Sequence, residues 1–184
     1  AAATEYVPAQ YVTLDAATQR NIALLAGSNG DGSAHSLCAA IDGTVTAMGA
    51  RLLKKWLVRP LREARLIAER HEVVALFSAD LTLLAGVTAC LGQIADVERI
   101  VGRIVLLRAT RADYLALKYS LTALVQLLLM LQDLRSYSSA LAPIIEACGK
   151  YEELSDLLER SIFEGDGDFL IKSGYSEALD QARS

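Results

Sequence analysis

The residues best suited to chemistry are few and scattered. His35 and Cys38 have the spacing of two zinc ligands, yet no second pair accompanies them, and a tetrahedral site wants four. Asn29, Asp31 and Ser33 copy the opening positions of a calcium loop, but the twelfth position, where a bidentate Glu would close the shell, is Ala40. The other histidine, His71, lies between Arg70 and Glu72 and suits a helix surface better than a proton relay, which needs a partner for each transfer. Asp166 and Asp168 belong to an acidic glycine turn, Glu164-Gly165-Asp166-Gly167-Asp168, which reads as a solvated loop. Gly149-Lys150 lacks the earlier glycine of a phosphate-cradling loop, and no Gly-x-Gly-x-x-Gly opens a helix. These patterns predict no catalytic residue, no cofactor-binding residue and no metal ligand in this chain.

Charge is distributed unevenly. Arg51, Lys54, Lys55, Arg59, Arg62 and Arg65 surround a single acid, Glu63, in a chain whose 18 Lys+Arg and 22 Asp+Glu leave a net charge of -4. A pI near 5.2 argues against a free-standing polyanion binder, so any nucleic-acid contact must come from a local patch. Lys54, Lys55 and Arg59 are the candidates for DNA-backbone contact. The alternative is a solvated face around the Pro60 bend, with arginines paired to distant carboxylates. Arg70 falls on the apolar side of its helix, where an unpaired charge is costly, and Asp42, Asp96 and Glu98 are its candidate partners.

The elements that carry these residues follow from patterning. With 184 residues, 53% hydrophobic and 22% charged, the chain can bury a core, and wholesale disorder is excluded. Cys38, Cys90 and Cys148 are odd in number and far apart, which favours a reducing compartment over a disulfide framework. Ala1-Ala2-Ala3-Thr4-Glu5 has neither the basic segment nor the apolar run of a signal peptide. The uncharged stretch 119–132 is shorter than the roughly 20 apolar residues of a spanning helix and reads as a buried helix.

Three prolines and recurrent Leu and Ala at three- and four-residue spacing predict a mainly α protein. Thr46 should cap a helix that Pro60 ends, with Met48, Leu52 and Trp56 on one stripe and Trp56 in the core. Leu66, Ile67, Val73, Val74 and Phe77 mark a second helix, and Asp96 should cap a third. The strongest pattern is Tyr114, Leu117, Leu121, Leu124, Leu128 and Leu131, with Thr110 and Asp113 placed as a capping box. About 22 residues at 1.5 Å each give a helix of roughly 33 Å, so an elongated body is expected. Two more helices are expected over 134–147 and 151–163. Gln10 to Leu14 and Asn21 to Leu25 leave room for one or two short N-terminal strands or one irregular helix.

Several motifs in order resemble the DNA mismatch repair protein family MutS. They are Leu14-Asp15-Ala16-Ala17-Thr18-Gln19-Arg20-Asn21, then Thr46-Ala47-Met48-Gly49-Ala50-Arg51-Leu52-Leu53-Lys54-Lys55-Trp56-Leu57 with Pro60-Leu61. Ile67-Ala68-Glu69-Arg70, Asp96-Val97-Glu98-Arg99-Ile100 with Arg103-Ile104, and Ile171-Lys172 with Gly174-Tyr175 follow. Ala50 replaces a common Ser and Ser173 a common Pro or Asp. The resemblance implies the first segment of the lever, or core, domain: a non-catalytic helical strut coupling an ATPase to a DNA clamp. It implies an irregular unit over 1–26, a loop over 27–35, a helical body over 36–163, and an acidic loop and segment over 164–184 leading towards the clamp. It further implies structural roles for Asp15, Thr18, Thr46, Met48, Arg51, Trp56, Arg70, Asp96, Arg99 and Arg103. ATP and Mg would belong to the full-length protein. That protein would bind mismatched duplex DNA as a homo-oligomer, contact its own further domains and avoid membranes. Its compartment would be the cytoplasm of a prokaryote, or the nucleus for a eukaryotic relative. The rival reading is an independent helical protein–protein interaction module.

Overall fold

The computed structural model describes residues 10–25, 35–136, 141–148, 151–165 and 169–183. They are mainly helical and form two compact units, Ala1–Leu81 and Thr82–Ser184. The loop 27–35 lies outside the described residues except for His35, as do Asp166 and Asp168.

In the first unit, the Asp15 carboxylate accepts the Thr18 amide at 2.6 Å and starts α1 (Ala16–Asn21). Ala23 ends it in a left-handed conformation, φ 48°, with its amide on the Arg20 carbonyl and the Leu24 amide on Gln19. The amides of Leu37 and Cys38 then bond the carbonyls of Ala23 and Leu24, docking α2 (Leu37–Ile41) on that turn; Leu24, Ser36 and Cys38 are buried. The N-terminal segment is therefore not a pair of strands. A capped helix takes its centre, and Gln10 to Leu14 contributes one isolated antiparallel bridge, Tyr11 to Leu61.

Thr46 Oγ1 accepts the Gly49 amide at 3.0 Å and starts α3 (Ala47–Val58). A Cβ on Gly49 would lie 2.9 Å from that hydroxyl, so the cap needs glycine there. The chain turns at Pro60 into α4 (Ala64–Ala79). The elbow is fastened by the Val12 amide on the Pro60 carbonyl, 2.8 Å, and the Arg62 amide on the Gln10 carbonyl, 2.9 Å. Neither α3 nor α4 buries a residue fully.

The second unit holds the larger core. After α5 (Leu81–Gly92), Asp96 caps α6 (Val97–Val105) through the Arg99 amide at 3.3 Å. Leu107, φ 54°, closes α6 with its amide on Ile104 and that of Arg108 on Arg103. Helix α7 (Arg111–Leu131) opens with the reciprocal box of Thr110 and Asp113. Ile100, Leu117, Leu121, Leu158 and Ile162 form the core, joining α6, α7 and α9 (Glu152–Ser161) with its exit residue. Buried Ser120 accepts the Ala95 amide at 2.9 Å and donates to the Ala116 carbonyl, so the turn before α6 is tied to α7 with no polar cost. In place of one helix over 134–147, a short 3₁₀ turn, Gln132–Ser136, precedes α8 (Ala142–Cys148). An antiparallel bridge, Ile162 to Ile171, leads to α10 (Glu177–Arg183).

Candidate functional site

Two arrangements stand out from the packing. The first is the basic surface of α3 and its elbow. Lys54, Lys55, Arg59, Arg62 and Arg65 are all exposed. Arg65 pairs with Glu69 one turn on, at 2.5 Å. Arg51 and Met48 are half-buried on the same helix.

Trp56 is not in the core. It is 41% exposed, and the Arg70 guanidinium from α4 lies 3.7 Å from its ring centroid. The stack replaces the carboxylate pair expected of Arg70; a cation over an indole gains from the ring quadrupole without a buried counter-ion. Burial holds the Arg70 pKa below its ordinary value, against a smaller opposite influence of Tyr11. Asp42 is engaged with the Thr44 amide and hydroxyl, which keep its carboxyl below the usual range.

The second arrangement braces α7. Asp113 accepts the Arg103 guanidinium with one oxygen and the Thr110 amide and hydroxyl with the other. The Arg103 hydrogen bond is the main cause that lowers its pKa to about 2. Arg103 therefore joins the end of α6 to the start of α7, whereas Arg99 stays local, 3.3 Å from Asp96. In mid-helix, Lys118 is 4% exposed, with its ammonium on Glu159 of α9 at 2.7 Å and on Glu164. Burial opposes the charged form, but the hydrogen bonds to both carboxylates outweigh it and raise the Lys118 pKa. Tyr119 donates to Glu164 at 3.2 Å, and Arg111 to the carbonyls of Phe163 and Gly165. The strap after α9 is thus held to α7 by three side chains.

Sequence reasoning missed Lys118. Its signal is plain in retrospect: it is the lone charge between Asp113 and Asp133 in a leucine-rich helix, where a cation needs compensation. Other candidates do not assemble. Cys38 is buried, His35 and His71 are exposed, and among the described residues no cluster of His, Cys, Asp or Glu could hold a metal ion. An apolar groove of about 300 Å³ lies beside α7, lined by Leu121, Leu124, Leu128, Ile145 and Tyr151. Cys148 also lines it, and burial raises its thiol pKa.

Comparison with known proteins gives this geometry its context. The family described as MutS domain III matches residues 17–178. A relative described as "DNA mismatch repair protein MutS", from Symbiobacterium thermophilum, is 36% identical over 183 residues, which is 97% of this chain and 21% of that protein. The chain therefore spans about a fifth of the relative's length. It belongs to the MutS family, as domain III.

Proposed function

We propose that this chain is the opening lever segment of a mismatch recognition ATPase, performs no chemistry itself, and passes displacement between the nucleotide-hydrolysing end and the DNA clamp. The observation that carries this reading is the bracing of α7. A helix of 21 residues is capped at one end and tied by Arg103 to α6 and by Lys118 to α9 and the following strap. Helices locked by side-chain pairs move together, so a shift imposed on one reaches its neighbours. In this reading mismatched duplex is bound by the full-length homo-oligomer, ATP and Mg are held outside the chain, and the other domains are its direct partners. The bacterial relative supports a cytoplasmic setting.

The test uses the full-length protein with Arg103→Gln and Asp113→Asn together. The expected result is unchanged basal ATP turnover with a several-fold loss of its stimulation by mismatched duplex. Unchanged stimulation, with thermal unfolding showing that the brace is lost, overturns the relay. The rival reading, an independent interaction module, draws on the apolar groove beside α7 and the exposed Val125 and Leu129. A reading frame that continues into a phosphate-binding loop speaks against it.

A further inference from the structure

We propose that the outer face of α3 and the elbow after it, carrying Lys54, Lys55, Arg59 and Arg62, is a docking surface for the phosphate backbone of duplex DNA. This goes beyond transmission: the lever segment would itself touch nucleic acid. It draws on family membership only for the class of polyanion, so relay and docking can fail separately.

Three observations carry it. Charge is segregated: six of the 18 cations fall within 51–65 beside one acid, in a chain of net charge -4. Among the described residues of the second unit, by contrast, four cations enter ion pairs, with Arg99 on Asp96, Arg103 on Asp113, Lys118 on two glutamates and Arg183 on Asp180. On the elbow, Lys54, Lys55 and Arg62 are exposed and enter no ion pair among the described residues; Lys54 exerts only a minor pull on Asp42. Finally, the surface is preorganised. Thr46 caps α3, two backbone hydrogen bonds pin the elbow to the N-terminal segment, and Arg59, the residue that ends α3, is fixed by its amide on the Lys55 carbonyl.

The geometry favours backbone over base. One face of Trp56, the aromatic nearest these cations in sequence, already carries the Arg70 guanidinium, so the surface is cationic first and stacking second. Duplex DNA presents one negative charge per about 1.7 Å of axis, a dense and regular match for cations held in fixed positions. Binding should accordingly ignore sequence and mismatch.

The experiment measures binding of this 184-residue chain to a fully paired duplex over a series of salt concentrations, with helicity checked by circular dichroism. The parent is compared with Lys54→Gln/Lys55→Gln/Arg62→Gln. A charge-matched control, Arg20→Gln/Arg108→Gln/Arg160→Gln, removes three exposed cations elsewhere. Three lost phosphate contacts should reduce the slope of log K against log salt by about 2.7, so that the elbow variant loses about 40-fold less affinity than the parent between 50 and 200 mM salt. The control should keep the parent's slope. Absence of salt-dependent binding by the parent, or equal loss in both variants, overturns the proposal. So does polyglutamate binding as tightly as duplex at equal charge concentration, which would assign the surface to an acidic protein face.

Discussion

Replacing Lys118 should be cheaper than removing its two partners, and the difference follows from where each charge sits. The Lys118 side chain is 4% exposed, while Glu159 and Glu164 remain 64% and 43% exposed. With Lys118→Met, the carboxylates simply rehydrate and the methionine stem refills most of the lysine's apolar volume. The expected cost is about 1 kcal/mol, or roughly 3 °C in Tm for a chain of this size. Glu159→Gln with Glu164→Gln leaves a buried ammonium without counter-charge, a situation that costs about 3–5 kcal/mol and lowers Tm by roughly 10 °C. The Lys118 pKa should then reverse direction, from raised to lowered, because burial becomes the dominant influence. Urea unfolding of the three forms supplies the stabilities, and NMR of the Lys118 ammonium follows the titration. A methionine variant that loses as much as the double glutamine variant would refute the reasoning.

The remaining perturbations act on single contacts. Asp113 is held at about 2, below its ordinary 3.8, so the stability it contributes is complete above the ordinary value and is lost as pH falls towards 2. Asp113→Asn should flatten that acid limb in unfolding curves from pH 5 to pH 2; an unaltered limb counts against the Arg103 brace. Gly49→Ala should destabilise by about 1 kcal/mol despite alanine's better helix propensity, because its methyl group displaces the Thr46 hydroxyl from the cap. A more stable alanine variant in thermal unfolding would contradict this. Trp56→Ala should cost about 1–2 kcal/mol, the scale of an exposed cation–π contact with partial burial, rather than the 3–5 of a core aromatic. Arg70→Ala should alter the fluorescence of this single tryptophan, and identical emission would remove the stack.

What is legible in the sequence is local. Thr46, Asp96 and the Thr110–Asp113 box mark helix starts because each cap closes over three residues, and leucine spacing reveals α7 because one of its faces meets a core. Helix α5 escapes the same logic: Leu81–Gly92 is apolar on all sides and has no polar face to betray its period. The site residues divide similarly. The basic cluster is visible in composition, but Arg70 stacks on Trp56 from another helix, and Lys118 meets its acids 41 and 46 positions later in the chain. Such pairings are settled by packing. Asp42 suits Arg70 by charge, but its carboxylate is taken by Thr44 and the Trp56 indole receives the guanidinium.

The turn that closes α6 has a practical consequence. Val105, Leu106 and Leu107 all stand exposed, and Leu107, at 94%, does so on a left-handed backbone that a branched side chain disfavours. Three neighbouring apolar groups at this turn predict weak self-association at high concentration, which sedimentation at a series of dilutions checks. Leu107→Asn relieves the backbone and removes the most exposed of the three groups, which makes it the better stock for sedimentation and for the salt titrations.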